Sequence, residues 1–157
     1  MSAETRTAYD VVARIPDPEI PFIDIAELGI LRDVATSDSG RVTVTITPTY
    51  SGCPAMRAIE EDIERALEEA GYPDVVIETQ FSPAWTTDWM TDDARQKLER
   101  FGIAPPAPTA LEDTAEVLCP RCASKDTKVI SVFGTTACKA LMACSACGEP
   151  FDHFKSL

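Results

Sequence analysis

Two Cys-x-x-Cys pairs, "CPRC" (Cys119, Cys122) and "CSAC" (Cys144, Cys147), stand 21 residues apart near the end of the chain. Each pair can form a turn that presents two thiolates to one ion, and four thiolates in a tetrahedron suit zinc. A redox dithiol uses the same spacing but needs only one pair, so duplication favours metal. A rubredoxin-like iron would occupy the same four ligands. The segment 117–157 is too short to bury a self-sufficient core, so a metal staple is what would let it fold. Gly148 follows the second pair, where a tight turn wants a permissive backbone, whereas Ala123 follows the first. A slightly different first turn is therefore expected.

The remaining sequence describes another kind of unit. "ETRTAYDVVARI" carries Ala8, Val11, Val12 and Ile15 at helical spacing and stops before Pro16. "GILRDVATSDSGRVTVTITPT" reads as two strands around a "SDSG" turn, with Val42, Val44 and Ile46 alternating with threonines. Met56, Ile59, Ile63, Leu67 and Ala70 then mark an amphipathic helix, opened by Pro54 at its first position and stopped by Gly71. "DVVIETQF" is a third strand, and "TDDARQKLERFG" a short helix begun by Thr91 or Asp92 and ended by Gly102. "IAPPAPTALEDTAEV" has three prolines and no periodicity, which predicts a linker. The expected organisation is an α+β domain over 1–102 (helix, β-hairpin, helix, strand, helix), a linker over 103–116 and a four-cysteine β zinc ribbon over 117–157.

Charge narrows the partners. The chain carries −12 in all, and residues 1–108 hold 20 acids against 9 bases, a net of −11. Such a body repels phosphate backbones, so no nucleic-acid partner is expected of it. No basic-then-apolar leader and no run of ~18 apolar residues is present, which makes the cytoplasm the expected compartment and a membrane partner unexpected. In that compartment six cysteines do not form a disulfide framework.

Cys138 stands outside both pairs; its "TTACKAL" surroundings offer no ligand spacing and suggest a small buried side chain. His153, the only histidine, lies between Phe151 and Phe154 and reads as a packed or surface residue. A single histidine removes most hydrolytic and acid–base schemes. Cys53 is the ambiguous thiol. In "TPTYSGCPAM" it stands at the start of the long helix, where free N–H groups and the helix dipole stabilise a thiolate. Gly52 beside it would permit close backbone approach. The alternative is a buried thiol acting as a small hydrophobe. Asp17 and Glu19 in "IPDPEIPF" could support a metal or a partner, or merely close a turn. Trp85 in "PAWTTDWM" faces a core, a partner or a ligand.

"DPEIPFIDIAELGILRDV" followed by "TPTYSGCPAM" resembles the domain shared by SufT-type bacterial proteins and a eukaryotic cytosolic iron–sulfur assembly factor, over residues 10–100. "PAWTTDWMT", "FGIAPP", "CPRC", "FGTTACKAL" and "CSACGEPFDHFK" extend the resemblance over nearly the whole chain, to the D subunits of multicomponent phenylacetyl-CoA epoxidases. That resemblance implies a role in aerobic phenylacetate degradation, beside di-iron oxygenase and iron–sulfur flavin reductase components as partners. It implies an accessory or maturation component, with Cys53 as the functional thiol for transient iron or an iron–sulfur cluster. Asp17, Glu19, Thr49, Gly52 and Trp85 would be its supporting loop residues, and Cys119, Cys122, Cys144 and Cys147 the structural zinc ligands. The residues agree with a chain that is not catalytic alone. There is no Glu-x-x-His helical set for a di-iron site, no glycine-rich dinucleotide turn and no plant-type [2Fe–2S] spacing. The competing readings are a structural epoxidase component with Cys53 merely packed, a thiol enzyme lacking an evident base, and a zinc-ribbon nucleic-acid adaptor. A homodimer is compatible with all of them.

Overall fold

A computed structural model describes residues 3–111 and 115–157 and divides into two compact units, Met1–Trp85 and Thr86–Leu157. The first opens with helix α1 (Ala3–Ala13), whose Thr5, Ala8 and Val12 are buried. Strands β1 (Leu31–Thr36) and β2 (Val42–Ile46) pair antiparallel around the expected turn. There Gly40, at φ 83°, donates to the Ser37 carbonyl at 2.9 Å. Helix α2 (Ala55–Glu69) then returns the chain to β3 (Val75–Thr79), which pairs parallel to β2. β2 is thus the central strand, and Val42, Val44 and Ile46 are fully buried.

The α+β class and element order match the sequence expectation, with shifts of detail at the helix. The buried face of α2 is Ala55, Ile59, Ile63 and Leu67; Met56 is half-buried and Ala70 exposed. Pro54 is the N-cap, one residue earlier than expected. At the other end Tyr72 N–H reaches the Leu67 carbonyl at 2.9 Å and Gly71 N–H that of Glu68 at 3.0 Å. With Gly71 at φ 94° this is a Schellman stop, which satisfies two otherwise orphan carbonyls.

The second unit is not the 117–157 ribbon the prolines suggested. Helix α3 (Asp92–Arg100), capped by the Thr91 hydroxyl accepting from Ala94 N–H at 3.1 Å, belongs to it. Inside the expected linker, β4 (Ile103–Ala104) pairs parallel to β7 (Pro150–Phe154). With β6 (Lys139–Cys144) and β5 (Thr127–Ser131) they make one sheet in the order β4-β7-β6-β5. The proline-rich segment is held by partners distant in sequence. Arg95 donates to the Pro106 carbonyl at 2.6 Å, and Ser156 to that of Ala107 at 3.0 Å. Residues 112–114 of this segment lie outside the described residues. Among the described residues no helix is long and apolar enough to cross a membrane.

Candidate metal centre and the lone thiol

The two Cys-x-x-Cys segments fold as two copies of one turn. Cys119 N–H donates to the Ser124 carbonyl at 2.9 Å and its carbonyl accepts from Ala123 at 2.8 Å. Cys144 repeats both bonds with Glu149 and Gly148, each at 2.9 Å. The residue closing each turn is left-handed, Ala123 at φ 59° and Gly148 at φ 78°. The expected difference in shape is absent; Ala123 instead adopts the strained backbone that a glycine would take freely. Arg121 of the first turn and Glu149 of the second form an ion pair across the pair of turns.

These turns bring Cys119, Cys122, Cys144 and Cys147 together, with all four sulfurs within 4.8 Å of one another. Cys119 and Cys147 are 3.8 Å apart, and Cys122 and Cys144 3.6 Å. A sulfur tetrahedron around zinc at ~2.3 Å has edges of ~3.8 Å, so the donor set fits the ion in type, number and spacing. Cys119 and Cys144 are buried against Ala104, Met142 and Phe151, whereas Cys122 and Cys147 face solvent.

The electrostatics argue the same way. The Cys147 and Ala146 amides aimed at the Cys144 sulfur outweigh its desolvation and lower that thiol to about 7. Cys122 is offered the Ser124 amide, yet desolvation and the neighbouring sulfurs push it up to about 12. Without a cation, the first thiolate makes the next one costly. A divalent ion removes that conflict for all four. The cluster is a metal-binding site by its chemistry.

Cys53 sits elsewhere, in the loop between β2 and α2, and is half-buried. It precedes the N-cap Pro54, so it lies one residue outside the helix and not in its first turn. Its N–H donates to the Tyr50 carbonyl at 3.2 Å, and its carbonyl accepts from Met56 at 3.3 Å. Gly52 has φ 83°, and a Cβ there would meet nothing within 4 Å. Backbone conformation explains this glycine; close approach does not. Thr49 is half-buried in the same loop.

The acidic loop separates its two carboxylates. Asp17 is 4% exposed, and its Oδ1 accepts from Glu19 N–H at 2.8 Å and Ile20 N–H at 2.9 Å. It closes the turn, the plainer of its two expected roles. Glu19 is half-buried. Among the described residues the four cysteines of the second unit are the group of three or more ligand side chains close enough to share an ion. Cys53, Asp17 and Glu19 form no such group. Trp85 is 4% exposed with its indole N–H on the Leu28 carbonyl at 3.1 Å, so it packs and anchors the end of the first unit.

Cys138 is buried and His153 half-buried. Cys138 is 5% exposed with its sulfur 3.0 Å from the Thr136 hydroxyl. His153 lies on β7 with Nδ1 3.3 Å from the Ala104 carbonyl, and burial followed by the Lys155 charge holds its pKa below the ordinary value.

Comparison with known proteins assigns both units. Residues 6–78 match the model for "Iron-sulfur cluster assembly protein" and residues 103–155 that for "PaaD zinc beta ribbon domain". An Escherichia coli (strain K12) protein named as the D subunit of 1,2-phenylacetyl-CoA epoxidase is 49% identical over 151 residues, 95% of this chain and 91% of the relative. The chain belongs to the PaaD family of epoxidase subunits. A Porphyromonas gingivalis (strain ATCC BAA-308 / W83) Fe-S protein maturation auxiliary factor is 39% identical to this PaaD-family chain over 97 residues, 59% of it and 91% of the factor. The crystal structure of a domain of unknown function, DUF59, from Bacillus anthracis matches with a TM-score of 0.57 at 26% identity, covering 61% of the PaaD-family chain and 92% of that domain. The PaaD-family chain therefore joins an iron–sulfur-assembly-type unit to a zinc-ribbon-type unit.

Proposed function

We propose that this chain is a maturation factor for the phenylacetyl-CoA epoxidase system, acting in the cytoplasm on an oxygenase or reductase component. The observation that carries the reading is the joining of an assembly-type unit to a family-specific ribbon in one chain. In this reading Cys53 is the ligand for the cargo, iron or an iron–sulfur cluster in transit. Cys53 is half-buried, and the surrounding turn fixes its backbone. One thiol does not make a metal site. Since Asp17 is committed to its turn, the remaining ligands come from the client, and Glu19 and Thr49 are assigned supporting roles by the family resemblance alone.

Cys119, Cys122, Cys144 and Cys147 would hold zinc, which supplies cross-linking and no chemistry. Four sulfurs leave no open coordination position, so the ion is structural. The test of the reading is Cys53→Ala, assayed by the iron content of the epoxidase components purified from phenylacetate-grown cells. Depleted iron with an intact fold is expected. Normal loading would leave the chain as a structural component of the complex, with Cys53 only packed.

A further inference from the structure

β5 is an outer strand of its sheet, so among the described residues one of its edges has no strand beside it. Val129, Ile130, Val132 and Phe133, on and just after it, are 58%, 55%, 61% and 66% exposed. Neighbouring large apolar residues are rarely left open on this scale unless another protein covers them. Val129 and Val132 also form one wall of a trough of about 650 Å³, whose other walls include Val117, Leu118, Ala140 and Met142. A hollow of this kind suits an apolar anchor side chain.

Two features near the end of β5 discourage strand addition. Its register with β6 is interrupted between Val129 and Ser131. Lys155 Nζ donates to the Val132 carbonyl at 2.9 Å and lies 4.8 Å from the centre of the Phe133 ring. A bulge and a lysine are the usual guards of an edge strand. They protect the backbone here but leave the side chains accessible.

Charge selects the occupant. In a chain of net −12, residues 127–148 contain no Asp or Glu. Lys128 is exposed on β5 and Lys155 sits over Phe133. A second copy docked edge to edge would set lysines against lysines, whereas a carboxylate-bearing surface complements Lys128 and Lys155.

We propose that the exposed β5 edge and its trough are the docking surface for a client protein that presents apolar side chains beside carboxylates. The client is an epoxidase component, an identification that rests on the maturation reading. The test measures binding of full-length, metal-loaded chain to purified oxygenase and reductase components, each immobilised separately. Val132→Lys and Phe133→Ser should weaken binding to one component at least tenfold, while Phe101→Ser, an exposed aromatic elsewhere, should not. Lys128→Glu should weaken it several-fold and flatten its salt dependence. Metal content and melting temperature verify that each variant is folded. Wild-type affinity in Val132→Lys and Phe133→Ser would overturn the proposal, as would failure of the wild type to bind either component. A dimer that these substitutions dissociate would also overturn it, by making a second copy the occupant. Failure of the maturation reading is seen separately, as normal iron loading with Cys53→Ala.

Discussion

Ala123 and Gly148 occupy the same position in two copies of one turn, each left-handed and each donating to the carbonyl four residues back. Glycine adopts that backbone freely, whereas an alanine there costs about 1 kcal/mol. Ala123→Gly should therefore stabilise the second unit by up to about 1 kcal/mol, part being offset by the freer unfolded chain. Gly148→Ala should destabilise it by a similar amount. Thermal unfolding of the two variants checks both signs.

Removal of the metal should melt the second unit and spare the first. The wild type is expected to carry about one zinc per chain. Chelation, or Cys144→Ser, should abolish protection of β5, β6 and β7 in hydrogen exchange, and of β4 with them because among the described residues it pairs only to β7. Exchange in β1, β2 and α2 should be unchanged. Metal-free chain with an ordered second unit would contradict this.

Asp17 and Glu19, two residues apart, should separate stability from function. The Asp17 carboxylate holds two backbone amides, so Asp17→Ala should cost the first unit about 1–2 kcal/mol. Glu19→Gln should leave the unit folded and lower iron loading of the client. Denaturation together with client iron content distinguishes the two.

The first unit was legible in the sequence because its signals are local. Period-two valines in β2, helical spacing in α2 and glycine stops such as Gly71 each sit within the element they specify. The extent of the second unit was not legible. β4 is two residues long, too short to show a period, and its partner β7 lies some fifty residues away. Pro106 and Ala107 read as linker because the groups that bind them, Arg95 and Ser156, are remote in sequence. The four metal ligands could be read from spacing alone. Cys53 could be found, but its relation to Asp17 and Glu19 could not, since a turn that consumes a carboxylate looks in sequence like a loop that offers one. Nothing in the sequence around Val132 and Phe133 signals that the strand before them would be an edge.

His153 should make the second unit sensitive to acid. Burial and the Lys155 charge lower its pKa, so the folded chain favours the neutral ring. Below the ordinary value of ~6.5 the unfolded chain binds more protons, and stability falls as pH drops from there through the folded value. The metal thiolates also protonate in acid, so the comparison is between variants. His153→Gln should lose less stability than wild type between about pH 7.5 and pH 5.5 in chemical denaturation. Equal losses would mean that His153 contributes nothing to the dependence.

If the half-buried Cys53 is a ligand in transit and not a packed thiol, its loss must show in the iron of the client. The most direct measurement is the iron content of the epoxidase oxygenase and reductase components, purified from phenylacetate-grown cells carrying Cys53→Ala. The variant chain should keep its fold and its zinc, because Cys53 lies outside both the β2–α2 core and the four-cysteine cluster. One component should then be recovered depleted in iron, with growth on phenylacetate lost and growth on other carbon sources retained. Full iron content in both components, with normal growth, would contradict the account.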